Sequence, residues 1–296
     1  MKGKIAYFLM GLVIIVGIFS TRVKEIDADT MDLIKLSHSI ESEKFFPGYN
    51  MSKYPIDINY DKIEFRYYKD KISKQKPLYP PAFSAVPEED GPVLKVLGLN
   101  DFRNVFDTGG DSKENMSKAY VSMLLHEGFH CYQMEHGLKA DDSEKIIDGN
   151  LNDEEDSKTF YEIQKRLDND DDYKKLWIEE IKGLINFRNH NDSSSYKIAR
   201  KKLNNYLHKK LKKEDYDIYS TYSKEMETIE GTARYVENCV LESFSQKKNG
   251  VFNDEFVNGT SKFYLSGSIK TEILKNKGKL ESISFDLSKT LDDFME

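Results

Sequence analysis

Cysteine is almost missing from this chain: Cys131 and Cys239 are the only two in 296 residues. That excludes a disulfide scaffold, and two buried thiols are expected in preference to one bridge. Positive charge is not in surplus. Lys and Arg number 44 against 51 Asp and Glu, for a formal net charge of -7. The basic footprint of a nucleic-acid binder is therefore absent. Basic runs such as Lys209-Lys210-Leu211-Lys212-Lys213 lie among equally dense acids and read as solvated helix faces. There is no internal repeat and no low-complexity tail. No apolar run reaches the roughly 18 to 20 residues of a comfortable membrane span. What remains is a globular composition, 39% apolar and 32% charged, long enough to bury a sizeable core.

The first residues carry a distinct signal. Lys2 and Lys4 precede an uncharged run of 15 residues, Ile5 to Phe19, and Arg22 and Lys24 follow it. A basic start before a short apolar run reads as an export signal. Residues 1–24 are thus expected to be a signal peptide or an N-terminal membrane anchor. The body is then secreted, or anchored through residues 5–19 at the outer face of the cytoplasmic membrane. No cysteine follows the run, which argues against a lipid attachment.

Along the rest of the chain, short strands come first and helices follow. Residues 25–60 read as an exposed lead-in with some helix. Lys62 to Tyr68 alternates as a strand does. The proline-rich stretch from Gln75 to Gly91 reads as a loop. Val93 to Gly98 and Phe102 to Phe106 are further strand candidates. A helix is expected from a cap at Asp111 or Ser112 to about His136, where Gly137 stops it. The acidic stretch Asp141 to Asp156 reads as a loop. Amphipathic helices are expected over Ser157–Leu167, Tyr173–Phe187, Ser195–Leu211, Glu214–Ser245 and Asp254–Lys275, with a last strand over Ser282–Leu287. Trp177, spaced with Ile181 and Leu184, reads as core. The pattern predicts an α+β fold dominated by helices. One catalytic domain spans residues 25–296, with a helical insertion over about 141–213.

The chemistry is concentrated at His126-Glu127-Gly128-Phe129-His130. Residues four apart on a helix leave the same face, so His126 and His130 can offer two nitrogen ligands to one tetrahedral zinc ion. Glu127 lies beside them and can take the proton of an activated water as it attacks a carbonyl. Cys131 is one position further, about 100° around the helix, and belongs to the packing. A catalytic zinc needs a third protein ligand. Two residues qualify: Glu230, within Glu230-Gly231-Thr232-Ala233-Arg234-Tyr235-Val236-Glu237, and His136, six residues after His130. Gly128 and Gly231 follow the proposed base and ligand directly. Glycine inside a helix costs about 1 kcal/mol relative to alanine, and close approach of a second helix or of substrate is one use for that cost.

HEGFH followed by this EGxAxYxE segment resembles the gluzincin metallopeptidases, the broad group that includes thermolysin and the aminopeptidase N-like enzymes. The resemblance covers about 30 residues in two motifs. It implies a zincin-like fold, peptide or protein substrates, zinc as the cofactor and Glu230 as the third ligand. It also implies a Tyr or His donor to the oxyanion, placed after the Glu230 helix. Tyr264 is the candidate and Tyr235 the runner-up. Glu227, Arg234 or Glu237 is expected to orient a metal ligand. His136 points instead to the metzincins, but Gln133 stands where their motif needs a glycine turn. The expected activity is peptide-bond hydrolysis with Glu127 as general base. The rival from another class is a zinc-binding but inactive module that recognises a surface partner.

Overall fold

The computed structural model describes residues 25–60, 63–77, 83–106, 112–139 and 154–295. The fold is α+β. The chain divides into two compact units, one of residues 1–140 with 236–247 and the other of residues 141–235 with 248–296.

The first unit carries a sheet of β1 (Ile56–Tyr60), β2 (Ile63–Tyr68), β3 (Lys71–Gln75), β4 (Ser84–Glu88) and β5 (Gly91–Leu97), in the order β3-β2-β1-β5-β4. β1, β2 and β3 form an antiparallel meander, β5 runs parallel to β1, and β4 pairs antiparallel with β5 at the edge. Ile56 and Ile58 stand beside Tyr67 and Phe65 on one flank and Leu94 and Val96 on the other. These six side chains are buried and make one apolar face. The opposite face is charged. Asp57, Glu64 and Lys95 are all buried there. The Lys95 ammonium pairs with Asp57 and lies 3.2 Å from both Glu64 and Glu88. Arg66 donates two 2.7 Å bonds to Asp57. Buried charges are tolerated when paired in this way and are costly otherwise.

This unit also holds helices α1 (Ala28–Ser39), α2 (Leu99–Phe106) and α3 (Lys113–Glu135), and α3 packs on β4 and β5. Three expectations are corrected here. Residues 25–60 are not an exposed lead-in, because Ile34, Phe46, Tyr49, Met51, Tyr54 and Ile56 are core. The proline-rich stretch contains β4; Pro87 fits an edge strand, where a missing N–H costs little. Phe102–Phe106 is the end of α2 rather than a strand, with Leu99 and Phe102 buried at helical spacing.

Among its described residues the second unit holds helices and no strand. It holds α4 (Glu154–Leu167), α5 (Asp171–His190), α6 (Ser194–Lys210), α8 (Ser261–Asn276) and α9 (Leu291–Met295). Helix α7 (Lys213–Ser243) is continuous and contributes residues to both units. Its stripe of Met226, Ile229, Ala233, Val236 and Val240 is buried throughout, as its spacing predicts. Trp177, Ile181 and Leu184 are core. Helices α7 and α8 meet at two glycines: a Cβ added to Gly231 would lie 2.4 Å from the Gly267 Cα. Two expectations fail in this unit. The helix expected from Asp254 begins only at Ser261, and Asp254 itself has a positive φ of 68°. Ser282–Leu287 is no strand; Ile283 and Phe285 are buried but no strand pairs with them.

Residues 1–24 and 140–153, including the apolar run and most of the acidic stretch, lie outside the described residues. Among the described residues no helix is long and apolar enough to cross a membrane.

Candidate metal centre

Helix α3 begins where its sequence says it should. Ser112 accepts a 3.2 Å bond from the Asn115 amide, and Gly137 takes a φ of 115° just past the helix end. From Leu124 to Gln133 every residue of α3 is buried, so the helix has no solvent face over these turns. A helix buried all round is normally apolar all round. Here His126, Glu127, His130 and Gln133 are at most 3% exposed. Burying polar groups is costly unless they are bonded, and two of the bonds are specific. The His126 Nδ1 lies 2.9 Å from Glu237 Oε2 on α7, and the His130 Nδ1 lies 2.6 Å from Gln133 Oε1. Both acceptors assign the ring proton to Nδ1 and leave Nε2 of each imidazole as the lone-pair atom. The two rings lie 4.9 Å apart, nearly perpendicular.

Glu230 lies two turns before Glu237 on α7, on the same face. His126, His130 and Glu230 each offer one ligand atom, and these atoms lie within 4.8 Å of one another. All three residues are buried. The donor set fits zinc, which takes imidazole nitrogen and carboxylate oxygen at about 2.0 to 2.2 Å. A tetrahedral ion would need its ligand atoms roughly 3.4 Å apart. Glu127, Glu230 and Glu237 are each at most 2% exposed. Buried carboxylates are costly unless they are bonded or paired.

The segment before the sheet supports the motif helix from the other side. Tyr49 donates a 2.8 Å bond to the Leu125 carbonyl. A Cβ on Gly128 would lie 2.2 Å from the Met51 sulfur and 2.8 Å from the Tyr49 hydroxyl. Gly128 therefore makes room for side chains of its own unit and not for a second helix. Gly231 does meet a second helix, at Gly267.

The other expected residues fall as follows. Glu237 touches a proposed ligand, His126. Glu227 is committed elsewhere, accepting from Ser266 at 2.6 Å and from Lys270 at 2.7 Å. The Arg234 guanidinium lies 5.6 Å from the centre of the Tyr264 ring, which is half-buried on α8. Tyr235 is buried with the Lys275 ammonium 5.6 Å from its ring, a packing position. His136 is exposed, stacks on Tyr132 at 3.9 Å, and places its Nδ1 2.8 Å from the Tyr132 carbonyl. It is not part of the three-residue cluster. Cys131 and Cys239 are free and buried. Burial, followed by the Glu127 charge, pushes the Cys131 thiol well above its ordinary value, so it stays protonated.

Two further residues stand close to the cluster. Gln133 departs from the glycine turn of the metzincin motif, and three residues beyond His130 it sits one turn along the same face. Tyr161 on α4 is the other. Burial and then the charge of Glu230 raise its phenol above the ordinary value, which places the two groups in electrostatic reach. No spacing rule connects Tyr161 to the motif. Among known proteins, the chain matches no protein-family model, no curated protein and no solved structure.

Proposed function

We propose that this chain is a zinc-dependent peptidase of zincin-like architecture, exported by its first 24 residues, that hydrolyses peptide bonds with Glu127 as general base. The observation that carries the reading is the buried cluster of His126, His130 and Glu230, with Glu127 next in sequence to the first ligand. His126, His130 and Glu230 would hold the zinc, whose chemistry there would be Lewis acidity toward a carbonyl and a water whose pKa is brought toward about 7. Glu127 takes the proton of the attacking water and returns it to the leaving nitrogen. Glu237 and Gln133 fix the orientation and tautomer of the two imidazoles, leaving Nε2 of each as the atom that would hold the ion. Tyr264 donates to the oxygen that becomes negative in the transition state.

The test combines metal analysis of the purified protein with hydrolysis of a mixed peptide library, with and without chelator. Glu127→Gln keeps zinc, because no ligand is changed, and loses about 10²- to 10⁴-fold in turnover. Unchanged turnover in that variant rejects the reading. Zinc without hydrolysis in the wild-type chain would leave a metal-binding recognition module.

A further inference from the structure

The second unit contains a cavity of about 480 Å³, lined by α6, by Lys224 of α7 and by the segment that ends in α9. That volume suits a small organic ligand. Its wall is dominated by cations. Lys197 and Lys201 stand one turn apart on α6, and Lys224 joins them from α7. Among the described residues none of these three ammonium groups has a carboxylate within ion-pair distance, whereas their neighbours Lys202 and Lys210 are paired with Glu179 and Asp170.

The acids of the cavity are already committed. Asp292 accepts from Tyr196 at 2.6 Å and Arg200 at 3.2 Å, and pairs with Lys270 at 2.9 Å. Asp293 accepts from the Thr290 amide at 2.7 Å and from its hydroxyl at 2.9 Å. Asp292 is thus matched to cations other than the three lysines, and Asp293 spends Oδ2 on Thr290. The surroundings show the same excess. Burial and then the like charges of Lys279 and Lys197 hold the Lys277 ammonium below its usual range. Phe187 and Met295 give the cavity an apolar part.

From this arrangement we propose that the cavity binds a small organic phosphate, its anionic group held by Lys197, Lys201 and Lys224 and its apolar body against Phe187 and Met295. Lysine ammonium groups bind phosphate as point charges. The ligand is small because the three lysines line one solvent-open cavity of this size, and a chain of net charge -7 repels an extended polyanion. The site shares no residue with the metal cluster and does not depend on the proposed activity.

The probe is phenyl phosphate, titrated calorimetrically into the full chain at about 0.15 M ionic strength, where long-range attraction between exposed charges is largely screened. Inorganic phosphate and phenol are the comparison ligands. Phenyl phosphate should bind saturably and more tightly than inorganic phosphate, and phenol should not bind. Lys197→Gln/Lys201→Gln should weaken binding at least tenfold with an unchanged melting temperature, and Lys202→Gln by less than twofold. Chelator should leave the affinity unchanged. No saturable binding would overturn the proposal, as would an unaffected double variant or equal loss in Lys202→Gln. Equal affinity for inorganic phosphate would overturn the assignment of an ester. Loss of binding in chelator would move the ligand to the metal centre and overturn the site.

Discussion

Glu237 Oε2 stands 2.9 Å from His126 Nδ1, and both residues are buried. The contact joins the end of α7 to the motif helix through a proposed ligand rather than through packing alone. Gln133 does the same for His130 within α3. Partners of this kind typically contribute 10- to 100-fold in metal affinity. Glu237→Gln and Gln133→Ala are each expected to raise the zinc dissociation constant by about that factor, with folding retained by circular dichroism. Zinc affinity within twofold of wild type in both variants would show that the rings need no such support.

Glu230→Ala should lower zinc occupancy sharply, and His136→Ala should leave it unchanged. His136 is exposed and stacked on Tyr132, whereas Glu230 is within 4.8 Å of both motif histidines by its ligand atom. Metal analysis of the two purified variants decides between them. Loss of zinc in His136→Ala alone would move the chain to the metzincin arrangement.

Much of this site could be read from the sequence, because helix periodicity is local information. Ser112 and Gly137 mark the ends of α3, and the four-residue spacing of His126 and His130 gives their common face. The sheet was harder. β1 carries Asp57 and Asn59 on a face buried by ion pairs, so it lacks the alternation of a half-wet strand. β3 is an exposed edge with Ile72 at 55% exposure, and β4 includes a proline. Ser282–Leu287 misleads in the opposite way: Ile283 and Phe285 alternate because both plug the core, yet no partner strand is present among the described residues. Contacts between distant segments, such as Tyr49 with Leu125, leave no trace in spacing at all.

The proposed oxyanion donor is Tyr264, and Tyr161 is the alternative that a kinetic test can separate from it. Loss of one such donor typically costs about 2.7 to 4 kcal/mol. Tyr264→Phe should therefore reduce the turnover number by about a hundredfold or more, with zinc content unchanged. Tyr161→Phe should be near neutral if Tyr264 holds the role. The opposite result in steady-state kinetics would transfer the role to Tyr161, whose phenol already feels the charge of Glu230.

Lys262 gives a pH signature independent of activity. It is fully buried on α8, 2.7 Å from Asp168. Burial pushes its ammonium down to about 8, and the Asp168 charge offsets only part of that. In the unfolded chain the group titrates near 10.5. Between these values the unfolded chain holds a proton that the folded chain has released, so stability rises with pH through that window. Relative to Lys262→Met, the wild-type chain should gain up to about 3 kcal/mol from pH 8 to 10.5. Denaturant titrations of both proteins across that range measure it, and a constant difference would reject the assignment.

Gly231 and Gly267 form a contact with no slack on either side. A Cβ on Gly267 would lie 2.2 Å from the Glu227 carbonyl oxygen, and one on Gly231 would lie 2.4 Å from the Gly267 Cα. Enlarging one residue cannot be balanced by trimming the other, because neither has a side chain to give up. The pair therefore has no stepwise route of divergence. Any descendant that keeps this crossing keeps both glycines, and one that loses either has slid α8 along or away from α7. Glu230 immediately precedes Gly231, so such a slide would carry the backbone of that carboxylate with it. In chains too divergent for their motifs to be compared, two glycines at matching places on successive long helices would still report whether this crossing has been inherited.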